Sequence, residues 1–487
     1  VDCNIRDDVW RVVRVHSSQK SFRINLLGVF MKTLKLSALA VALGLLAACN
    51  EQKSGEISQA ELLKAKDNPE FVIVDTRGDT FYNGFKSSKT ARGGHIPNAI
   101  QFTAEWIEGI HPDYFESFAA DKGITKDKTV VLYDDNLDNL EKVSAEFTAK
   151  GYKVKLFKDF VKYTQDPTAP LESFPNYHWL VSAQWLKDAL DGKKPETHNG
   201  TETMVFHVSW GPLEQATGYK QHVTGAYHFD TDWIENAPVW NLSSPEIIEQ
   251  NLLKNGITKD KTIVLYSENQ LAAFRVLWAL KWAGVEDVRI LNGGMNAWIN
   301  NEFPIDTTVN TPTPAADFGV KIPANPQLSI DTAQEAYAKQ KEGVKLVSIR
   351  AWEEHLGTIS GYDYIPGKGE PEGAIWGYAG TDSSNVADYY DPDGSLRNPK
   401  EIFALWEKQG IKPNDSLAFY CGTGWRAGIP WFMTQMAGWK NAIVYDGGWN
   451  AWQMDSSLPT KAPSNAAKPN AKNFFGTTPR TGLSCKS

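Results

Sequence analysis

The stretch Cys421-Gly422-Thr423-Gly424-Trp425-Arg426 joins a thiol, two glycines and a cation within six positions. An apolar run (416–420) precedes it, and a helix-like segment with Pro430 in its first turn follows. A loop between a strand and a helix N-terminus turns backbone N–H groups inward and adds the helix dipole, an arrangement that favours a thiolate. Gly422 and Gly424 let the backbone curl around the sulfur without Cβ clashes. Arg426 supplies a fixed cation for an anionic substrate. The chemistry predicted is nucleophilic covalent catalysis by Cys421. An inert thiol at a strand end is the plainer alternative.

The elements that would carry this loop occur three times. A first apolar strand recurs at 71–77, 203–209 and 344–350. A turn into a short strand recurs at 94–102, 220–229 and 370–377. A third strand recurs at 129–135, 262–268 and 416–422. Helices are expected from about Leu137, Gln270 and Ala427, closing near Gly151, Gly284 and Gly438, with a further strand after each. Alternating strand and helix predicts an α/β fold of three tandem domains, each a parallel sheet flanked by helices. The expected bounds are 51–168, 176–306 and 323–460, with a tail at 461–487. Pro-rich seams lie at Asp166–Pro175 and Thr307–Pro326. Extra Gly/Asp-rich segments at 357–371 and 380–399 are expected as loops around the third domain's site. At the position of Cys421 the other copies have Asp134 and Ser267, so the first two domains are expected to be inactive.

The repeat and the CGTGWR loop, with Asp446-Gly-Gly-Trp449 and the turn His95-Ile-Pro-x-Ala99, resemble rhodanese-like sulfurtransferases, specifically a three-domain exported form with one active domain. That resemblance implies that Cys421 takes sulfane sulfur from a donor, becomes a persulfide and passes the sulfur to a thiol or cyanide acceptor. It implies that Arg426, with Gly422, Thr423, Gly424 and Trp425, holds a small anionic donor, and that no cofactor and no metal is needed. Related phosphatases use Cys-x5-Arg, whereas Cys421 to Arg426 is the shorter Cys-x4-Arg. The donor stays open between thiosulfate and 3-mercaptopyruvate. A sulfur carrier or scaffold docking a protein acceptor is a further alternative, as is a role for Cys485.

Composition narrows the classes. The chain has 487 residues, a net charge of −8 and no long basic block, which argues against a nucleic-acid partner. Its four cysteines, Cys3, Cys49, Cys421 and Cys485, are too far apart for a Cys-x-x-Cys zinc site. Met31, Lys32 and Lys35 lead into the apolar run Leu36–Ala48 and then Cys49, a signal-peptide pattern too short to span a bilayer. It resembles a bacterial lipoprotein signal at 31–48, which implies lipidation of Cys49 and a periplasmic body tethered to a membrane, the outer more than the inner because Asn50 is not Asp. Residues 1–30 are read as an upstream start artefact.

Weaker signals have plainer readings. Asp134-x-Asn136-x-Asp138 opens like a calcium loop but lacks its glycine and its final glutamate, and is read as a solvated loop. His95, His222 and His228 are expected to satisfy turns. Arg350 is expected in an ion pair. Trp425 either walls the pocket or fills an apolar gap.

Overall fold

The structure is a computed structural model and describes residues 55–469, residue 269 excepted. Cys3, Cys49, Cys485 and the segments 1–30 and 31–48 lie outside those residues.

Three five-stranded parallel sheets run along the described chain. The first contains β1 (Gly55–Glu56), β2 (Phe71–Asp75), β3 (Ile100–Gln101), β4 (Thr129–Tyr133) and β5 (Lys153–Phe157), in the order β1-β5-β4-β2-β3. The second contains β6 (Leu180–Val181), β7 (Thr203–Ser209), β9 (Tyr227–Asp230), β10 (Thr262–Tyr266) and β11 (Asp287–Leu291), in the order β6-β11-β10-β7-β9. A two-stranded antiparallel pair, β8 (His222–Val223) with β12 (Ile305–Asp306), flanks it. The third contains β13 (Ser329–Ile330), β14 (Lys345–Ser348), β15 (Ile375–Trp376), β16 (Leu417–Tyr420) and β17 (Ala442–Tyr445), in the order β13-β17-β16-β14-β15.

Each sheet places the recurring third strand at its centre. Those strands are apolar because helices cover both faces of a parallel sheet. Ile263–Tyr266 and Leu417–Tyr420 are fully buried. The helices that leave these central strands, Leu137–Ala149, Gln270–Ala283 and Gly428–Met436, end before Gly151, Gly284 and Gly438, all at positive φ. Leu137–Ala149 is amphipathic, with Leu140, Val143 and Phe147 inward. Gln270–Ala283 is buried on every side from Leu271 onward. A helix apolar all round must lie inside a larger body, and this one packs against Gly428–Met436 of the third domain. A Cβ on Gly428 would lie 2.9 Å from the Phe274 backbone, and the Phe274 and Phe432 rings meet at 4.9 Å.

The first and third domains meet through the segment expected to ring the site. Lys122, fully buried, bonds to Asp391 at 2.7 Å and Glu401 at 2.8 Å. Trp106 donates to Asp393 at 2.8 Å, and Asn398 to Gln101 at 3.2 Å. Residues 388–398 are thus a docking arm. The part of 380–399 near the loop is Asp382, whose carbonyl accepts from Arg426 at 3.3 Å. The tail also docks. Lys461 N–H bonds to the Glu370 carbonyl at 2.8 Å, and Trp352 donates to the Ala466 carbonyl at 3.0 Å.

Two buried histidines make stability depend on acid. Neither ring nitrogen of His207 has a protein partner, and burial pulls its pKa down to about 4, with His228 and His222 adding to the effect. Burial also brings His228 to about 4. Both are neutral when folded, whereas the unfolded chain takes protons below the usual value of 6.5. Stability is therefore expected to fall as pH drops from 6.5 towards 4, by about 1–3 kcal/mol per histidine. Thermal unfolding of His207→Leu across that range checks this: its acid limb should be flatter than the wild type's.

Candidate active site

Cys421 stands just past β16 and is fully buried. The loop after it closes with Ala427 N–H on the Gly424 carbonyl at 3.2 Å and Gly428 N–H on the Trp425 carbonyl at 3.3 Å. Among the described residues, no protein acceptor takes the backbone N–H of Gly422, Thr423, Gly424, Trp425 or Arg426. Five consecutive N–H groups beside a thiol and ahead of a helix are thereby left without a protein acceptor, the kind of arrangement that binds anions. Gly424 sits at φ +86°, a conformation that favours glycine.

The Asp446–Trp449 turn backs the loop. Trp449 N–H donates to the Cys421 carbonyl at 2.8 Å, and Asn450 N–H to the Gly422 carbonyl at 3.0 Å. Gly448, at φ +54°, presses so close that a Cβ would lie 2.6 Å from the Cys421 carbonyl. The segment 357–371 supplies a roof. A side chain at position 422 would run into the Tyr362 ring, and the Tyr364 hydroxyl lies near Thr423. Tyr362 and Tyr364 rings lie 5.4 Å apart.

Arg426 is committed in a way its place in the sequence did not reveal. It is fully buried, and its two terminal nitrogens donate to both Glu354 oxygens at 2.8 and 3.0 Å. One also donates to the Tyr362 hydroxyl at 2.8 Å. The remaining N–H, on Nε, has no protein partner. Arg426 can thus offer an anion one donor, with its charge largely balanced by Glu354. Arg350 is in an ion pair with Glu370 at 2.5 Å. Glu370 also accepts from Tyr420 at 2.5 Å and contacts His355 at 3.0 Å. Trp425 donates its indole N–H to Glu235 of the second domain at 2.7 Å, so it joins two domains.

Tyr362, Glu354 and Glu235 were not singled out by sequence reasoning. For Glu354 the available signal was an acidic residue four positions after Arg350. For Tyr362 and Glu235, 59 and 186 residues before Cys421, no local pattern exists. Burial pushes the Tyr362 pKa well above its ordinary value, so its hydroxyl keeps its proton while accepting from Arg426.

The equivalent positions in the other domains are occupied by capping groups. Asp134 accepts from Asn136 N–H at 2.8 Å and from the Thr76 hydroxyl at 2.6 Å. The Ser267 hydroxyl accepts from Ala273 N–H at 3.3 Å. Asp134 and Asn136 therefore serve the start of a helix. Burial pushes the Asp134 carboxyl up to about 6 from 3.8, against both hydrogen bonds. A folded pKa above the unfolded one penalises the fold fully above pH 6, and the penalty fades as pH falls towards 3.8. Asp134→Asn keeps an acceptor for Asn136 and removes that penalty. It should stabilise the protein by about 1–2 kcal/mol at pH 8 and leave sulfur transfer unchanged. Chemical unfolding at pH 8 and pH 4, with an activity assay, tests both halves.

The fold and the buried thiol in its glycine-bounded cradle define a known class. The chain belongs to the family of the rhodanese-like domain, whose pattern matches residues 58–163, 182–301 and 332–455. Thiosulfate sulfurtransferase YnjE of Escherichia coli (strain K12) is 35% identical over 427 residues, 87% of this chain and 96% of that protein. Sulfur carrier protein TtuD of Thermus thermophilus is 29% identical over 285 residues, 56% of this chain and 93% of that one. The anaerobic ergothioneine biosynthesis enzyme from Chlorobium limicola, solved with its natural substrate trimethyl histidine, superposes with a TM-score of 0.80 at 32% identity. The match covers 85% of this chain and all of that one.

Proposed function

We propose that the protein is a sulfurtransferase that carries sulfane sulfur on Cys421, from thiosulfate or a similar small anionic donor to a thiol or cyanide. The five unclaimed N–H groups of the loop that follows the buried Cys421 carry this reading. The Cys421 thiolate attacks the outer sulfur of the donor. The S–S bond of the donor breaks, and its electron pair leaves with sulfite. An acceptor then attacks the outer sulfur of the persulfide and returns the thiolate. Backbone N–H groups and Arg426 Nε stabilise the negative charge on the terminal sulfur at both stages. The relatives named as thiosulfate sulfurtransferases support this donor.

A second reading of the acceptor rests on Tyr362. Structures of EanB include one with ergothioneine covalently linked to a persulfide cysteine, and others with a tyrosine or a threonine replaced. Their spacing from that cysteine is the spacing of Tyr362 and Thr423 from Cys421. Side-chain charge near the loop also leaves little surplus for a dianion. Arg426 faces Glu354, Arg350 faces Glu370, and Arg275 faces both Glu235 and Asp446. Under this reading an imidazole carbon takes the outer sulfur, the persulfide S–S bond breaks with its electron pair returning to Cys421, the carbon's proton leaves to solvent, and the protonated Tyr362 hydroxyl hydrogen-bonds to the acceptor. The 3-mercaptopyruvate donor and the non-turnover carrier remain the alternatives to thiosulfate turnover.

The deciding experiment is intact-mass and peptide mass spectrometry of the full chain after thiosulfate or 3-mercaptopyruvate. Gain of one sulfur on the Cys421 peptide is expected. Discharge by cyanide, by a thiol and by trimethyl histidine then ranks the acceptors, and repeated turnover separates an enzyme from a carrier. Absence of sulfur on Cys421 with either donor overturns the proposal.

The export reading is a proposal on the same footing. An acylated Cys49 would tether the body to a membrane, since several chains exceed the two signals that stable anchoring needs. Among the described residues no helix is long and apolar enough to cross a membrane. Recovery of mature protein with a lipid-modified Cys49 in the detergent phase is the expected outcome. A mature chain that starts elsewhere rejects it.

A further inference from the structure

We propose that Glu235 and Arg275, both from the second domain, are positioning residues for the Cys421 loop of the third. This rests on the reading of Cys421 as the sulfur-carrying thiol. Glu235, Arg275 and Asp446 are all fully buried where the two domains meet. Every nitrogen of the Arg275 guanidinium makes a hydrogen bond. Nε bonds to Glu235 at 2.9 Å, one terminal nitrogen to Asp446 at 2.5 Å, and the other to the Trp240 carbonyl at 3.2 Å. Trp240 is itself held at φ +66°, a conformation that a bulky residue keeps only under constraint.

The two carboxylates reach the loop at different points. Glu235 takes the Trp425 indole N–H at 2.7 Å, next to Arg426. Asp446 opens the turn whose amides bond to the Cys421 and Gly422 carbonyls. The loop backbone lies against the ion pair itself, since a Cβ on Gly424 would sit 2.8 Å from both the Arg275 nitrogen and the Asp446 oxygen. Glu235 and Trp240 belong to Arg275's own domain, and Asp446 to the turn that backs the neighbour's nucleophile. These partners lie where they can hold the neighbour's nucleophile, which gives a domain without a nucleophile a part in the reaction. Buried ion pairs contribute little to stability compared with apolar replacements but fix geometry where each partner is satisfied.

The arrangement holds two carboxylates against one guanidinium. The charged or titratable groups facing Glu235 are Arg275, Asp446 and Tyr364, with Asp331 beyond Asp446. Burial, with Asp446 adding to it, pushes Glu235 up to about 7. The bond to Trp425 is therefore charge-assisted above neutrality and weaker below it.

The test uses the full chain with Glu235→Gln, which keeps the shape of the side chain, and Trp425→Phe, which keeps an aromatic ring but removes the indole N–H. Sulfur loading of Cys421 from thiosulfate is timed by quenched mass spectrometry from pH 6 to pH 8. The ratio of wild-type to Glu235→Gln rates should be about tenfold at pH 8 and fall towards one at pH 6, because the wild type loses the same charge there. The double variant should be no slower than the slower single one. A ratio of one throughout, or a constant ratio at every pH, overturns the proposal. Hydrogen–deuterium exchange of residues 421–428 is read on the same samples and does not depend on activity. Faster exchange in both variants is expected, and unchanged exchange rejects the clamp. Failure of the wild type to load any sulfur would count against the role of Cys421, and the exchange measurement alone would then decide the clamp.

Discussion

Cys421→Ser is expected to abolish sulfur loading and turnover, by at least about three orders of magnitude. Thiols ionise far more readily than alcohols, and a serine alkoxide needs a general base. The loop offers none. The carboxylates around it, Glu354, Glu370, Glu235 and Asp446, are all tied to arginines. Tyr362 is held in its protonated form by burial. Serine is smaller than cysteine and fits the cradle, so the fold should persist and the loss should be chemical. Steady-state turnover, thermal unfolding and mass spectrometry after thiosulfate check this together. A Cys421→Ser protein that still gains sulfur and turns over would move the site elsewhere.

The fold was legible because the physics that sets it is local. Apolar β-branched runs, helix-ending glycines and their repetition required no partner to be known. They placed the central strands and the helices after them within a few residues, while the two-residue edge strands β1, β6 and β13 passed unnoticed. So short a strand carries no period of its own. The cradle was equally readable, since Gly422 and Gly424 declare a backbone requirement. What stayed hidden was which charge meets which. Arg426 reads as a free cation in its own loop and is paired with Glu354 by folding. One longer-range clue was present: Gln270–Ala283 is apolar on all faces except for two cations. An arginine in such a helix must be buried, and a buried guanidinium must have an anion. That reasoning points to a buried anionic partner, though it cannot name Glu235 of the same domain or Asp446 of the third. The segment 388–398 misled for a related reason. Its Gly/Asp composition marks a loop, but docking against Lys122 and Trp106 depends on where the first domain lies.

Arg426→Ala should act first on stability and only then on donor binding. Removing the guanidinium leaves Glu354 with no balancing charge other than Arg350, whose Nε lies 3.5 Å from it. Breaking a buried pair from one side costs about 3–5 kcal/mol, because the remaining ion has lost its solvation without compensation. Tyr362 also loses the donor that orients its hydroxyl. The third domain should therefore melt earlier, and loading by thiosulfate should fall at temperatures where the fold survives. Glu354→Gln separates the two effects. It retains acceptor and shape, removes the negative charge and leaves Arg426 cationic beside the cradle. If Arg426 Nε helps to hold an anion, Glu354→Gln should lower the KM for thiosulfate while Arg426→Ala raises it. A matched loss of stability in both variants with no opposite change in KM would make Arg426 purely structural and leave donor recognition to the backbone N–H groups of 422–426.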